Sequence, residues 1–389
     1  MPNKTQIVLL FSLLFTACVE RYFIEDIDEL ASKIVIEGTI TDLCEPQEIV
    51  ISMSSDAKFA EFYPYSQCEV ILRDSGGVLF YFEESKTQAG HYIGEIDEHS
   101  LVVGNQFKVE VKTPDGKQYE SSYEEMLPCP EIDSIYYQQE QHPTSEEGNS
   151  IDGIQFFINF EASNYFGHHY RWIVEESYEY HSFWPIKNYY DESNRFISIV
   201  GPADYSKFVC YKTEVVDDII TLSTSNLTQN RFAGAKLLFV DDHTQRLLYN
   251  YSILVKQISL DEKAYNYWEK TKKNNKSNGG LFTKQPGRII GNIVNLNDST
   301  ERVLGYFGVS SVTSKRVVVP AQKDLSFKDL FICKPSFLKY SPLPWEPRPI
   351  YLFYAVDPAD GSWQPAWSVA ECVDCTSLGG VVEKPVYFE

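Results

Sequence analysis

Residues 33–41 read KIVIEGTIT, a segment in which apolar side chains alternate with polar ones and several are β-branched. This two-residue period is typical of a β-strand that buries one face. Turn residues at 74–77 and the pair Asp115-Gly116, a strong hairpin signal, interrupt the strand-like segments that follow. These segments lie at 48–53, 68–73, 78–82, 91–94, 107–111 and 118–121. The pattern predicts an all-β sandwich over residues 33–127.

Beyond this sandwich the alternation is lost and then regained. Residues 128–151 contain PCP at 128–130 and a long polar run, which predict a connector between two domains. Strand-like segments resume at 154, so residues 152–389 are predicted to form a larger β-rich domain. The strands predicted there are at 154–160, 170–175, 207–211, 236–240, 248–258, 288–294, 303–309 and 316–319.

One amphipathic helix is predicted inside this second domain, near residues 259–273. Ser259 is the expected N-cap and Glu262 the third helical residue of a capping box. Side chains at helical spacing then mark one face for packing against a sheet. They are Leu260, Ala264, Tyr267, Trp268 and Thr271. The predicted fold class is therefore mainly β, with a β-sandwich followed by a larger β-rich domain that carries this helix.

The composition narrows the class of partner. The chain has 389 residues, of which 43% are hydrophobic, so it is long enough for two domains with packed cores. Lysine and arginine total 34 against 55 aspartates and glutamates, which gives a formal net charge of −21. Nucleic-acid binding requires positive charge against phosphate, so this balance argues against a nucleic-acid partner. It argues equally against a basic patch that holds the protein on anionic lipid.

The N-terminus carries the pattern of an exported lipoprotein. Lys4 precedes the apolar run 7–15, which is too short to span a bilayer, and small residues at 16–17 precede Cys18. Residues 1–17 are therefore predicted to be a signal peptide, and Cys18 is predicted to be lipidated and to anchor the chain on a membrane. The alternative interpretation is a buried N-terminal helix with an incidental cysteine.

Residues 18–32 are predicted to form a lipidated, acidic tether. Their acidic cluster resembles the short export tag that sends some lipoproteins to the cell surface. The alternative is a solvated linker that its own charge keeps away from lipid headgroups. The sequence leaves both interpretations open.

Eight cysteines raise the question of disulfides. If Cys18 carries lipid, seven remain, so at most three disulfides form and at least one thiol stays free. Cys372 and Cys375 form a CxxC pair that a turn sequence follows, and no second pair lies at zinc-ribbon spacing. A structural disulfide is favoured over a zinc or redox site, most simply between Cys333 and one cysteine of this pair.

A search for chemistry finds no specific catalytic constellation. The sequence contains no HExxH, GxSxG, Walker A or dinucleotide-binding motif. His168 and His169 are adjacent and would point to opposite faces of a strand. Asp241, Asp242 and His243 offer metal-ligand atoms, yet no spaced loop supplies the other ligands of a calcium site. We therefore predict a protein that is not an enzyme and that holds no metal or cofactor.

Aromatic residues in polar segments are the candidate binding surface. Phe183, Trp184, Tyr189 and Tyr190 lie in one such segment, and Trp345 lies in a proline-rich one. Exposed aromatic rings stack on sugars and fill the pockets of protein partners. The alternative for the first segment is a loop folded back on its own core. The alternative for the second is a rigid connection at a sheet edge.

An ordered series of short motifs spans most of the chain and resembles one known family. The motifs are RLLYNYSILVKQ at 246–257, AYNYW at 264–268, LFTKQP at 281–286, GNI at 291–293, GYF at 305–307, KRV at 315–317, CVDC at 372–375 and KPVY at 384–387. In this order they resemble the lipoprotein family called domain of unknown function 4249, which is common in Bacteroidota. Each motif is short, and their order and spacing together carry the resemblance.

This resemblance implies an outer-membrane lipoprotein with an N-terminal β-sandwich, whose relatives often accompany TonB-dependent transporters. It implies no catalytic residue set. The N-terminal region also resembles the transthyretin-like or carboxypeptidase-regulatory-like sandwich, a relative of the immunoglobulin-like sandwiches in architecture. The matching motifs are GTIT at 38–41, CEV at 68–70, GHY at 90–92 and DGKQY at 115–119. This second resemblance implies a fold rather than a function.

The expected function follows from these features together. We expect a lipid-anchored outer-membrane protein, facing the cell surface, that acts as a non-catalytic accessory or ligand-binding partner of a TonB-dependent nutrient transporter. The alternative is a structural subunit of an outer-membrane assembly or secretion machine, which shares every one of these features. A surface hydrolase is less favoured because the familiar hydrolase motifs are missing.

Overall fold

The structure, a computed structural model, describes residues 32–55, 61–143, 150–163, 165–191, 193, 196–277, 289–327, 333–338 and 350–388. Over these residues the chain is mainly β with one α-helix, so the predicted fold class is confirmed. The predicted signal peptide, Cys18, all of the tether except Ser32, and Trp345 lie outside the described residues. Within the described ranges, no helix has both the length and the apolar character needed to cross a membrane.

The strands are numbered in chain order. The first twelve are β1 (Ile34–Thr41), β2 (Gln47–Met53), β3 (Tyr63–Pro64), β4 (Glu69–Asp74), β5 (Leu79–Glu84), β6 (His91–Gly94), β7 (Gln106–Lys112), β8 (Gln118–Ser121), β9 (Glu124–Glu125), β10 (Ser134–Pro143), β11 (Ser150–Glu161) and β12 (His169–His181). The others are β13 (Asn188–Tyr190), β14 (Phe196–Ser198), β15 (Val209–Val215), β16 (Ile220–Ser223), β17 (Arg231–Asp241), β18 (Tyr251–Leu260), β19 (Ile293–Asn295), β20 (Phe307–Ser310), β21 (Val312–Val319), β22 (Ser336–Phe337), β23 (Tyr351–Val356) and β24 (Trp363–Trp367). The helix α1 is Glu262–Ser277, and short 3-10 turns lie at Gln245–Leu247, Ala370–Cys372 and Cys375–Leu378.

The segment 33–41 forms β1, and its alternation places one face in the core. Ile34, Ile36 and Ile40 are buried, whereas Glu37 between them is exposed. The sheet that contains β1 has eleven strands in the order β19-β8-β7-β4-β5-β6-β2-β1-β20, with β3 beside β2 and β9 beside β7. Its buried side chains form one apolar core. We call this unit the first sandwich.

Two strands of the first sandwich come from much later in the sequence. β20 pairs parallel with β1, and β19 pairs antiparallel with β8. Phe307 and Ile293 from these strands are buried in the same core. Gly305 precedes β20 with a φ of +93°, and a Cβ atom there would overlap the carbonyl oxygen of Ile36. The boundary predicted at residue 127 is therefore incomplete, because residues 293–310 return to the first domain.

Residues 134–143 form a strand rather than the predicted connector. β10 pairs antiparallel with β11 along its whole length, and β11 pairs with β17. The sequence concealed β10 because it is an edge strand with mostly polar residues, although Ile135 is buried. The rest of the predicted connector, at 144–149, lies outside the described residues.

A second sandwich packs two sheets against each other. One sheet is β10-β11-β17, and the other is β15-β12-β18-β21 with β16 beside β12. Aromatic side chains from both sheets share one core, in which the ring centroids of Phe160 and Tyr170 are 4.7 Å apart. The Trp172 indole is buried there, and its Nε1 donates to Oε1 of Gln257 at 2.8 Å. The polar atom of this large ring is thus satisfied inside the core.

Helix α1 begins later than predicted. Ser259 belongs to β18, where it pairs with Tyr170, and its hydroxyl donates to the carbonyl oxygen of Pro128 at 2.8 Å. Asp261 is the N-cap instead, because its Oδ1 accepts the backbone N–H of Ala264 at 2.7 Å. The strand pairing holds Ser259, so the capping role falls to the next suitable side chain. The helix face predicted from the sequence is buried against the end of β18.

A third, smaller sheet lies near the C-terminus. Its strand order is β14-β13-β23-β24-β22, and its small apolar core surrounds a disulfide between Cys333 and Cys372. A second disulfide joins Cys210 in β15 to Cys375 in the 3-10 turn Cys375–Leu378. We call these five strands the cross-linked sheet, since its core contains one disulfide and the other binds the adjoining turn to the second sandwich.

Candidate binding groove

A groove of about 450 Å³ opens on the cross-linked sheet. Its walls come from the loop after β12, from the residues around β13, and from the β23–β24 hairpin. Most of the side chains are aromatic or aliphatic: the lining residues are Trp184, Pro185, Lys187, Ala203, Phe353, Tyr354 and Trp363. We call this feature the aromatic groove.

The floor of the aromatic groove is a stacked pair of rings. The centroids of Trp184 and Phe353 are 3.9 Å apart, and the two ring planes differ by 6°. The backbone N–H groups of Phe183 and Trp184 both donate to the carbonyl oxygen of Cys372 at 3.0 Å. Because Cys372 is bonded to Cys333, the disulfide fixes the loop that carries Trp184. The groove is therefore preformed on a covalently braced support.

Two aromatic side chains on the hairpin remain open to solvent. Trp363 is 67% exposed and Tyr354 is 39% exposed. In the β23–β24 ladder Tyr354 pairs with Pro365, and Val356 pairs with Trp363. Large aromatic side chains in contact with water around a concave surface are typical of a binding site.

Lys187 is the charged residue of the groove wall. Its Nζ donates to the carbonyl oxygen of Ile199 at 2.9 Å and also to that of Gly201. These bonds tie the loop after β14 to the groove wall. They also engage the ammonium group, so the groove presents mainly apolar surface to a ligand.

The structure separates the predicted binding residues. Trp184 lines the groove, whereas Phe183 beside it is 46% exposed and lies outside the walls. Tyr189 and Tyr190 belong to β13 and are half-buried. The ring of Tyr190 meets the ring of Phe196 edge-on at 5.7 Å. Of the four predicted residues that the structure describes, Trp184 is thus the one in the groove.

Three aromatic residues of the groove were missed from the sequence: Phe353, Tyr354 and Trp363. They lie far from Trp184 in the sequence, and strand pairing brings them beside it. The segment YLFYAV at 351–356 has the composition of a strand, and this signal could have placed aromatic residues on both of its faces. Its partner strand could not have been read from the sequence.

The cysteines pair in two bonds. Cys333 is joined to Cys372 with Cα atoms 5.8 Å apart, and Cys375 is joined to Cys210 with Cα atoms 5.7 Å apart. The sequence interpretation favoured Cys333 with one member of the CxxC pair and did not include Cys210. Each member of the pair has its own partner, so the CxxC motif offers no thiol for a metal or for redox exchange. Cys44, Cys68 and Cys129 are free thiols.

Neighbouring carboxylates in β12 reach opposite faces of the sheet, as adjacent strand residues do. Glu175 forms an ion pair with Arg316 at 3.1 Å. Glu176 is buried, accepts from the hydroxyl of Tyr251 at 2.6 Å, and pairs with Arg246 at 3.2 Å. Both carboxylates therefore have structural partners.

The histidine and aspartate motifs are also engaged in local contacts. Nδ1 of His168 lies 2.9 Å from the hydroxyl of Thr224, while the ring of His169 stacks on Tyr265 at 4.5 Å. Nε2 of His243 lies 3.7 Å from a carboxylate oxygen of Asp242. Across the described ranges, no three His, Cys, Asp or Glu side chains converge in a way that could hold a metal ion.

These features define a class: a mainly β protein of two sandwiches, with a disulfide-braced sheet that carries an aromatic groove. The chain belongs to the family described as "Domain of unknown function (DUF4249)", whose sequence profile matches residues 20–316. A search of curated proteins gives no match.

Among solved structures, the chain is similar to one described as "Crystal structure of tetra-tandem repeat in extending region of large adhesion protein". The sequence identity is 12%, and the alignment covers 59% of this chain and 46% of that chain, with a TM-score of 0.17. The chain thus spans less than half of that structure. A TM-score this low carries no argument about fold or function.

Proposed function

We propose that this protein is a lipid-anchored outer-membrane protein, facing the cell surface, that serves as a non-catalytic accessory of a TonB-dependent nutrient transporter. The aromatic groove is the proposed contact with the transporter. The observation that carries this proposal is the groove itself, with its stacked floor and the exposed ring of Trp363. The lipoprotein pattern at residues 1–18 and the Bacteroidota character of the resemblance support the location.

The chemistry of the groove favours a protein partner over a free sugar. Its lining is largely apolar, and the ammonium of Lys187 is already engaged by backbone carbonyls. A sugar needs polar groups to receive its hydroxyls, whereas an apolar side chain of a partner needs only shape and apolar surface. Tryptophan is one of the residue types enriched at the hot spots of protein interfaces.

The bracing of the groove adds to this proposal. The backbone contacts with Cys372 and the disulfide to Cys333 hold the loop of Trp184 before any partner arrives. A preformed site loses little side-chain and backbone entropy on binding, so more of the contact energy appears as affinity.

The anchor is tested by replacing its cysteine. The Cys18→Ala variant is expected to move from the membrane fraction to the soluble fraction, because it lacks the acylation site. Cys44→Ala, which removes an exposed free thiol, is the matched control and should stay with the membrane. If Cys18→Ala also stays with the outer membrane, the lipoprotein assignment is wrong.

The partner is tested by a mild-detergent pull-down of the tagged, lipidated protein from outer membranes, followed by mass spectrometry. A stoichiometric TonB-dependent barrel is expected, and Trp363→Ala is expected to reduce its recovery at least about tenfold, as for an interface hot spot. Tyr165→Ala removes a tyrosine that is 69% exposed elsewhere and serves as the control.

Other outcomes redirect or overturn the proposal. Recovery of assembly or secretion subunits in place of the barrel would support the machine-subunit alternative. Equal loss of the barrel with both aromatic variants would remove the groove from the contact. A chain that recovers no outer-membrane protein would contradict the accessory role.

A further inference from the structure

The outer edge of β10, in the second sandwich, is a surface of a different kind from the aromatic groove. β10 pairs with β11 over its whole length without a register shift, and no described strand pairs with its other side. An edge of this kind presents N–H and C=O groups that pair readily with another extended chain. The edge shares no residue with the aromatic groove.

The hydrogen bonds of β11 show which of its residues bond toward β10. The carbonyl oxygen of Asp152 accepts the N–H of Asp242, at the end of β17, at 2.9 Å. The carbonyl oxygen of Asn159 accepts the N–H of Asp133, just before β10, at 3.1 Å. Backbone groups alternate between the two sides of a strand, so the even-numbered residues of β11 bond toward β17 and the odd-numbered ones toward β10.

This alternation fixes the outward residues of β10. Glu140 pairs with Gly153, which is odd-numbered and bonds toward β10, so the even-numbered residues of β10 bond with β11. The N–H and C=O groups of the odd-numbered residues point out of the sheet. Those of Tyr137, Gln139 and Gln141 have no strand partner in the described part of the chain.

Both ends of this edge are closed. Nζ of Lys315 in β21 donates to the carbonyl oxygens of Ile132 at 3.1 Å and Asp133 at 2.6 Å, directly before β10. Pro143 at the other end is an outward-facing position without an N–H, as is usual for proline on an edge strand. The open part of the edge therefore covers residues 137–141.

The large side chains on the outer face of β10 lie over their own sheet and leave this edge uncovered. The ring of Tyr136 stacks on that of Phe157 in β11 with centroids 5.2 Å apart. The ring of His142 stacks on that of Phe239 in β17 at 3.8 Å. Both rings therefore point away from the side on which a further strand would add.

The charge of the edge suits a second copy of the same chain. The chain has a net charge of −21, so most pairs of its surfaces repel each other. β10 carries one acid, Glu140, whose Oε2 accepts from Nζ of Lys236 at 2.9 Å. In an antiparallel pair centred on Gln139, Glu140 faces the neutral Gln138 of the second copy and not another carboxylate.

We propose that the open edge of β10 pairs with the same edge of a second copy of this chain, antiparallel and centred on Gln139. The outward backbone groups of residues 137–141 then exchange hydrogen bonds, and the two β10-β11-β17 sheets become continuous. The contact is isologous, so one pairing closes the edges of both copies. This inference goes beyond the accessory function and does not depend on it.

Cysteine cross-linking in cells that produce the full-length chain tests the register. The background is Cys44→Ser, which lacks the exposed free thiol and serves as the blank. Gln139→Cys is expected to give a disulfide-linked dimer on mild oxidation, because a hydrogen-bonded pair on the two-fold axis has Cα atoms about 5.5 Å apart. Gln138→Cys is the matched control on the same exposed strand. It faces Glu140 of the other copy, so we expect at least about tenfold less dimer.

Sedimentation of the purified protein separates the backbone bonds from the side chain. Gln139→Pro removes an N–H that β11 does not use and is expected to weaken the dimer at least about tenfold, because one hydrogen bond from each copy is lost. Gln139→Ala keeps the N–H and should stay within about threefold. Raising the salt from about 0.1 M to about 0.5 M should tighten the dimer, since it screens the repulsion between two acidic chains.

Several outcomes would overturn the proposal. Cross-linking of Gln139→Cys to a different protein would identify another partner for the edge. Equal dimer yields from the two cysteine variants, or no dimer in either, would exclude the pairing, as would equally tight dimers of Gln139→Pro and Gln139→Ala. A dimer that salt dissociates would be held by ion pairs instead. Trp363→Ala should leave the dimer unchanged, so failure of the groove and failure of this edge are distinguishable. Circular dichroism checks that each variant is folded.

Discussion

The first sandwich has eleven strands and buries a large core of mainly isoleucine, valine and phenylalanine side chains, whereas the cross-linked sheet has five short strands around one disulfide. The cysteines follow the same division. Cys44 and Cys68 of the first sandwich are free thiols, while the cysteines in and beside the cross-linked sheet are bonded. Apolar burial therefore stabilises one region, and covalent bonds replace much of it in the other.

The difference bears on how the aromatic groove keeps its shape. The first sandwich buries Phe107 and Phe307 in its core and also leaves rings such as Tyr81 and Phe62 at its surface. The cross-linked sheet leaves Trp363 and Tyr354 in contact with solvent and still keeps its shape. Where disulfides stabilise a region, fewer apolar side chains must be buried, so some can stay exposed and contact a partner.

Removing the disulfides should have the largest effect, because it takes away the covalent bonds that stabilise the cross-linked sheet. Cys210→Ser with Cys375→Ser is expected to cost about 5 kcal/mol of stability in the linked region, and Cys333→Ser with Cys372→Ser about 4 kcal/mol. The first is larger because its bond spans 165 residues of sequence against 39 for the second. Hydrogen exchange read by mass spectrometry should show lost protection in β15 and β23.

The control for the disulfide variants is Cys44→Ser, which removes an exposed free thiol of the first sandwich. It should leave protection unchanged throughout. Loss of protection in β1 as great as that in β23, after either disulfide is removed, would show that the two regions are not stabilised separately.

A cavity in the first sandwich should destabilise that region and leave the cross-linked sheet unchanged. Phe307→Ala is expected to cost about 4 kcal/mol because the ring is fully buried and sits on the late strand β20. Hydrogen exchange should rise in β1, which pairs with β20, while β23 keeps its protection. Val294→Ala on β19 changes an exposed side chain and should stay within about 0.5 kcal/mol. Equal destabilisation by both would contradict the core assignment.

Lowering the pH should change the stability contributions of one carboxyl group in each region in opposite directions. Burial raises the pKa of Glu124, so it favours folding below the ordinary glutamate pKa and loses that contribution as the pH rises through its raised pKa. Burial alone would raise the pKa of Asp374, but hydrogen bonds from Lys207 and Thr376 lower it overall. Asp374 therefore contributes above the ordinary aspartate pKa and loses that contribution as the pH falls through its lowered pKa.

Two variants, one in each region, test this pH dependence, which is the smallest of the predicted effects. At about pH 7, Glu124→Gln is expected to raise the Tm slightly, with no gain near about pH 4, where the wild-type carboxyl is largely protonated. Asp374→Asn is expected to cost about 1.5 to 3 kcal/mol at neutral pH, because Nζ of Lys207 donates to it at 2.6 Å. Thermal unfolding at a series of pH values checks both. Shifts of the same sign at neutral pH would contradict the opposite pKa directions.

Alternation in sequence was enough to predict β1, β2 and β4 to β8 of the first sandwich, because one buried face leaves a period of two. The two-residue strands β3 and β9 were not predicted. Alternation also failed for β10, whose edge position lets polar residues occupy most of the strand. The capping-box prediction failed for Ser259, because the pairing of this residue with Tyr170 in the sheet outweighs a local capping motif. Local patterns report local preferences, and tertiary pairing decided both of these cases.

The groove was only partly predictable for the same reason. Trp184 stood out as an aromatic residue in a polar segment, but Phe353 and Trp363 join it through strand pairings that link distant parts of the chain. The Cys210 partner of Cys375 depends on those pairings too, because β15 is brought to the turn by the fold and not by spacing. Long-range contacts of this kind leave no periodic trace in a single sequence.

The late arrival of β19 and β20 has a consequence for the order of events during synthesis. The ribosome makes β1 and β8 long before the strands that cover their edges, and until then each edge presents unpaired N–H and C=O groups. Such an edge recruits extended segments of other chains, and distant pairings close slowly. The first sandwich can be completed only once residue 310 has been added, so a nascent or truncated chain that stops at 127 carries two open templates for aggregation.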